Sequence, residues 1–243
     1  MSLITTSSAF PGSSFEDYRQ RFPYQGDNLY RVLFARNQSR IKIKKADVAA
    51  TNLRKIFDAA FSLSAKTSFH NMSLRDLSRE TGVSMGGLYS CLARKEDIAM
   101  MVLDIVELIT EENNAKALAE PDELISLEMA IKYHLYASTL LQPWFFFLYF
   151  ETRSLSPVDQ QRSKNIELNS IAMFETKIQQ GLDNGHFTVR SPYFVAQTIL
   201  IALQDWYLKP WKNKEKHIDR EQYSVYLFNM VKKLLVLAEP SSS

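Results

Sequence analysis

Residues 56–98, IFDAAFSLSAKTSFHNMSLRDLSRETGVSMGGLYSCLARKEDI, have the pattern of three short helices closed by two tight turns. Ile56, Ala59, Ala60 and Leu63 recur at three- and four-residue spacing, which puts them on one buried face of a helix over about 46–65. Ser73 is suited to start a second, short helix (74–80), because its hydroxyl can accept a first-turn amide and Asp76 completes a capping box. Gly82 stands where the chain must leave that helix, a place where left-handed backbone costs glycine little. Ser84 then caps a third helix carrying Met85, Gly86, Gly87, Leu88, Tyr89 and Ser90. Three residues separate the two short helices, the connection length of a DNA-reading helix-turn-helix. Leu77, Val83 and Leu88 read as the core that holds the pair together. A helix opening on Met-Gly-Gly has little bulk on its leading turn, so its backbone can approach a groove closely.

The order and spacing of these residues resemble the DNA-binding domain of the tetracycline-repressor (TetR) family of bacterial transcription regulators. The resemblance rests on Ile56, Ala59 and Ala60; Phe69 before Met72-Ser73; Leu77; Gly82-Val83-Ser84; Gly87-Leu88-Tyr89; and Lys95-Glu96. It implies that Ser73, Tyr89 and Lys95 touch the DNA backbone. A hydroxyl at a helix start, a phenol and an ammonium all suit phosphate oxygens. Base reading would fall to the exposed face of 84–90, chiefly Ser84, Met85 and Ser90, with Gly86 and Gly87 permitting the approach. Three departures stand out: Ser68 where the family usually has Gly, Gly87 where Thr is common, and Cys91-Leu92 in place of a frequent His-Phe pair. The last removes an aromatic that normally packs beneath the domain, so an altered core is expected there.

Charge supports the same segment. Residues 36–99 hold 12 Lys/Arg against 6 Asp/Glu, whereas residues 100–243 hold 14 against 18, within a net charge of +2. The basic excess thus coincides with the motif, as a footprint for phosphate should. Within it, RNQSRIKIKK (36–45) has five positive charges and no negative one. It reads either as a solvated basic linker or as an arm reaching DNA beside the docked helix. One cysteine leaves no intramolecular disulfide or multi-cysteine metal site and fits a reducing compartment. Cys91 itself reads as a redox-sensing thiol or as a small core hydrophobe. The N-terminus lacks the basic start and apolar run of a signal peptide, and no stretch has membrane-spanning length, so a soluble cytoplasmic protein is expected.

The remaining chain reads as all-α. Residues 1–45 are expected to form an irregular extension with the basic arm, with a helix possible from Asp27. A DNA-binding domain then spans 46–98, and a larger helical effector-binding and dimerisation domain spans 99–243. Helix punctuation predicts helices over 96–118, 122–141, 143–153, 157–185, 192–208 and 219–238, with Ser156-Pro157 and Ser191-Pro192 as starts. With the three of the motif, the total is about nine.

The four His residues are scattered, and Glu128 with His134 lacks the spacing of a di-iron pair. No Gly-rich phosphate loop or nucleophile elbow occurs. No metal, no cofactor and no catalytic residues are therefore expected. The run QPWFFFLYFETR (142–153) is too apolar for one helix face to bury. The resemblance implies a pocket for a small apolar or amphipathic effector, with Tyr133, Phe146, Phe147, Phe150, Met173 and Phe174 as lining. Glu151 and Arg153 read as polar anchors or as a surface pair. The last two helices are apolar on more than one face, which points to burial against the subunit and against its twin. Ile199, Leu203, Trp206, Tyr223, Leu227, Val231 and Leu234 are the expected homodimer contacts. The expected function is a ligand-responsive regulator, most simply a repressor released from a palindromic duplex operator, with helix 96–118 joining pocket to head. The alternative is an all-helical small-molecule-binding protein or enzyme with a vestigial head.

Overall fold

A computed structural model describes residues 10–236. These form twelve α-helices in the order α1 (Phe15–Arg21), α2 (Gly26–Arg36), α3 (Ala46–Thr67), α4 (Leu74–Thr81), α5 (Met85–Cys91), α6 (Glu96–Leu118), α7 (Glu123–Leu140), α8 (Gln142–Glu151), α9 (Pro157–Asp183), α10 (Pro192–Leu208), α11 (Pro210–Glu215) and α12 (Arg220–Leu235). A 3-10 turn, Thr152–Ser154, follows α8, and no strand occurs among the described residues. The expected helices start where the sequence punctuates them. Asp122 accepts the Ile125 amide at 2.9 Å, Ser191 accepts that of Phe194, and Asp219 forms a capping box with Gln222.

The extension departs from expectation, since part of it is helical. The start of α1 carries Glu16 and Asp17 and its end Arg19 and Arg21, which pair along the helix at 2.8 Å each. Helix α2 buries Leu29, Tyr30, Leu33 and Phe34 against α3. Helix α11 was also not expected; it starts at Pro210 and buries none of its residues. Residues 1–9 of the extension, and residue 238, where the last helix was expected to end, lie outside the described residues.

Packing divides the chain into two compact units, at places other than residue 98. Among the described residues one contains 22–108 and 143–164; the other contains 10–21, 109–142 and 165–236. In the first, α3 packs against α2, α4 and α5, and Leu53, Ile56, Phe57 and Ala60 are fully buried. Leu77, Leu88, Cys91 and Leu92 are sealed as completely. Aromatics from outside the motif finish this core. Trp144 stacks on Phe57 with ring centres 4.8 Å apart, and Phe147 meets Phe61 and Phe69 edge-on. Leu92 is fully buried in the same unit, whose aromatic contacts come from α3, α8 and Phe69.

Ser68 ends α3 with φ 68° and ψ 151°, a region that is essentially glycine's. The family-usual glycine would remove that strain. Ser68→Gly is expected to raise unfolding stability by about 1 kcal/mol, read as a shifted denaturant midpoint at unchanged slope.

In the second unit α7 is the central helix, contacted by α1, α10 and α12. Tyr136 is fully buried there, and its hydroxyl donates to Glu221 at 2.7 Å. The segment before α1 lies on the same helix. The Tyr133 hydroxyl donates to the Pro11 carbonyl at 2.6 Å, and Gly12, at φ 83°, leaves room for the Tyr133 ring.

Candidate nucleic-acid interface

The helix pair α4–α5 is built as its sequence implies. Ser73 accepts the Asp76 amide at 3.2 Å while its own amide donates to the Asp76 carboxylate at 3.0 Å. The Ser73 hydroxyl donates to the Asp76 carboxylate at 2.6 Å, and this bond, with that from the Ser73 amide, holds the Asp76 carboxyl below the usual carboxylate range. Gly82 closes α4 in the left-handed region at φ 68°. Between the helices, Ser78 donates to the Val83 carbonyl at 2.7 Å and Thr81 accepts the Val83 amide at 3.1 Å. Ser84 accepts the Gly87 amide at 3.2 Å and so starts α5.

Leu88 faces inward, while Ser84, Gly86 and Tyr89 are exposed and Met85, Gly87 and Ser90 half-buried. A side chain on Gly86 would meet nothing within 4 Å, so the leading turn of α5 is bare backbone. Gly87 differs: a Cβ there would lie 2.8 Å from Val83 Cγ1, which explains locally why the family-common Thr is absent. The two serines present complementary groups. Ser84 accepts within the helix and keeps its proton to donate, whereas Ser90 donates to the Gly87 carbonyl at 2.6 Å and keeps its lone pairs.

Lys95 is committed locally. Its ammonium donates to the carbonyls of Phe69, His70 and Met72 at 3.2, 2.5 and 3.1 Å. It therefore holds the turn that leads into Ser73, a task invisible in the sequence because it spans more than twenty residues. The basic segment is placed as well. Ile41 is buried, and the Lys42 amide donates to the Ser90 carbonyl at 2.8 Å, at the C-terminal end of α5. Cys91 is buried and burial pushes its thiol pKa up, so the core reading holds and a reactive thiolate does not.

The eight effector candidates are divided between the units. Tyr133, Met173 and Phe174 belong to one, where all three are buried and Tyr133 also meets Phe10 and Tyr18. Phe146, Phe147, Phe150, Glu151 and Arg153 belong to the other. There Phe147 serves the core, while Phe150 is 47% exposed beside Phe146. Glu151 is buried and accepts the Phe69 amide at 3.4 Å. Arg153 lines a cleft of about 490 Å³ with Ser68, His70 and Lys95, so Glu151 and Arg153 do not form a surface pair. A second cavity, of about 530 Å³, is lined by Thr139, Gln142, Trp206, Pro210, Lys214 and Arg220 and by none of the eight.

Four of the seven expected dimer contacts are placed in the protomer's own core. Ile199, Leu203, Leu227 and Val231 are buried within the protomer. Trp206 donates to Thr139 at 2.9 Å and lies against Tyr223, which donates to the Ala202 carbonyl. Leu234 alone of the seven is exposed. With Leu234, the outward apolar residues include Tyr193, Phe194 and Ile201 on α10 and Val225 and Tyr226 on α12. Both helices are apolar on two faces, and the spacing does not tell which face is outer.

No family model and no curated protein matches the sequence. Solved structures do match. PfmR, a TetR-family transcriptional regulator from Thermus thermophilus, aligns at 17% identity and TM-score 0.60 over 76% of this chain and 99% of its own. AibR, in complex with isovaleryl coenzyme A and operator DNA, aligns at 15% identity and TM-score 0.63 over 77% and 100%. The regulator FadR from Bacillus subtilis, in complex with stearoyl-CoA, aligns at 16% identity and TM-score 0.56 over 74% and 97%. No helix among the described residues is long and apolar enough to cross a membrane. The chain therefore has the all-helical fold of the TetR-family transcriptional regulators, with a helix-turn-helix head and a helical body.

Proposed function

We propose that the protein is a DNA-binding transcription regulator, a homodimer that reads a two-fold duplex operator through α5 and is released by a small effector. The observation that carries this reading is the α4–α5 pair. Two side-chain caps and a left-handed Gly82 hold it, and it presents an exposed edge of Ser84, Gly86 and Tyr89. That edge has the bare backbone and hydroxyl chemistry suited to a groove and its phosphates. Repression is the simplest output, with no catalytic step and a cytoplasmic setting.

The test is fluorescence anisotropy on DNA from upstream of the protein's own gene against scrambled DNA, at two salt concentrations. Selective binding that weakens with salt is expected. Weak binding, equal on both DNAs and indifferent to salt, would sink the reading.

The effector is apolar or amphipathic in this reading, with Tyr133, Met173 and Phe174 as its candidate contacts. Two of the similar structures hold acyl-coenzyme A molecules, so acyl thioesters are the first class to screen, scored by release from DNA. Release is a population shift: a ligand lowers operator affinity only by its differential binding to the two states.

Dimerisation is assigned to the outward face of α10 and α12. Ile201 is 59% and Tyr226 70% exposed, and both are large and apolar enough to anchor a two-fold contact. Ile201→Glu and Tyr226→Glu are each expected to shift the protein to monomer in light scattering and to weaken operator binding, with helicity unchanged. A dimer that survives both substitutions would remove this face from consideration.

A further inference from the structure

The segment 36–45 carries five positive charges and no negative one, and its middle is fixed against the reading helix. The Ser90 carbonyl is one of the groups a helix leaves unpaired at its C-terminus, and the Lys42 amide fills it at 2.8 Å. From Ile41 to Lys44 exposure alternates: Ile41 is buried, Lys42 exposed, Ile43 half-buried and Lys44 exposed. That is the period of an extended ribbon with its apolar side inward and its lysines outward, about 6.6 Å apart along the chain. Lys45, also exposed, continues the charge to the start of α3.

The acids nearest in sequence are already engaged. Asp27 is held by Arg54 at 3.2 Å and Asp47 by Arg31 at 3.0 Å. Arg40, just before the ribbon, has the Asp104 carboxylate at 4.0 Å and also donates to Asn37. Among the described residues no ion pair engages Lys42, Lys44 or Lys45. A plain linker between α2 and α3 has no need of a main-chain bond to the recognition helix or of a buried isoleucine. Here both are present, and they aim uncompensated charge alongside α5.

We propose that residues 41–45 are a second DNA-contacting element, in which Lys42 and Lys44 bind duplex backbone phosphates beside the groove that α5 enters. The element contributes affinity without sequence preference, because an ammonium on a phosphate reads charge and position but no base edge. The inference rests on α4–α5 being a DNA-reading pair, and its test separates the two.

The experiment compares full-length wild type, K42Q/K44Q and the charge-preserving K42R/K44R on an operator duplex and on a scrambled duplex, across a salt series. Each lost phosphate contact lowers the slope of log affinity against log salt by about 0.9, so two lysines on two protomers predict a fall of roughly 3 to 4. The expected result is that fall for K42Q/K44Q on both duplexes, at least about tenfold weaker binding at moderate salt, and an unchanged operator-to-scrambled ratio. K42R/K44R should keep the wild-type slope. Wild-type binding with K42Q/K44Q unchanged in slope and affinity would return the segment to a solvated linker and leave α5 as the reader. Loss confined to the operator at constant slope would also overturn the proposal, since the ribbon would then only position α5. A wild type with no salt-dependent affinity for any duplex would overturn both readings together.

Discussion

Gly86→Glu is expected to weaken operator binding by roughly a hundredfold while leaving the fold as stable as before or slightly more so. A Cβ at Gly86 meets nothing within 4 Å, so the side chain projects from the exposed edge of α5 without a clash. Within a helix, exchanging glycine for glutamate is favourable by up to about 1 kcal/mol, so thermal unfolding should shift upward if at all. The same side chain places a carboxylate on the face assigned to DNA, where phosphates repel it and the close approach is lost. A like charge at such a contact costs several kcal/mol, and a loss of about 3 kcal/mol corresponds to roughly a hundredfold in affinity. Anisotropy on the operator duplex and a melting curve are sufficient to test this. Retained affinity would mean that DNA does not lie against this edge.

Lys95→Met is expected to act in the opposite way, on the fold first and on DNA second. Methionine keeps the apolar stem, whose ammonium now lies 5.5 Å from the Phe69 ring centre, and removes the donor. The carbonyls of Phe69, His70 and Met72 then lose a shared charged partner, and the turn before Ser73 loses its tie. Charge-assisted hydrogen bonds contribute about 1.5 to 3 kcal/mol, and water reaches part of this site, so a stability loss of roughly 2 to 3 kcal/mol is expected. The family resemblance implies a phosphate contact for this lysine, and the salt dependence distinguishes the two roles. A phosphate ligand removed from each protomer lowers the slope by about 0.9 per contact, whereas a positioning residue weakens binding at constant slope. Constant slope is the expected result.

What the sequence made legible was chiefly local. The starts of α4, α5, α7, α10 and α12 follow from a serine or aspartate whose side chain reaches an amide within the next three residues. Such signals need no knowledge of the rest of the chain. Helix α1 escaped because it is a short helix after Pro11 and Gly12. Its order comes from packing of Tyr18 against Tyr133 and Tyr136, more than a hundred residues away. Helix α2 depends in the same way on α3. The site followed this pattern. Ser73, Ser84, Gly86 and Tyr89 stand where local spacing put them, while the destination of Lys95 and the Lys42–Ser90 bond depend on chain segments brought together by folding. Four of the seven expected dimer contacts are buried within the protomer for a different reason. On helices as apolar as α10 and α12, periodicity finds two faces and gives no sign of which one the protomer buries.

The adjacent glycines of α5 have a consequence beyond access to the groove. Each costs a helix about 1 kcal/mol relative to alanine, and seven residues are too few to hold a helix alone. Helix α5 is therefore kept in shape from outside, by the sealed Leu88 and Cys91, the Ser84 cap and the ribbon at Ser90. The surface assigned to DNA under the proposed function therefore takes its shape from its surroundings, whereas α3 is 22 residues long. If α5 is the reader, substitutions in the core and ribbon that hold it are expected to change DNA affinity without touching the exposed edge.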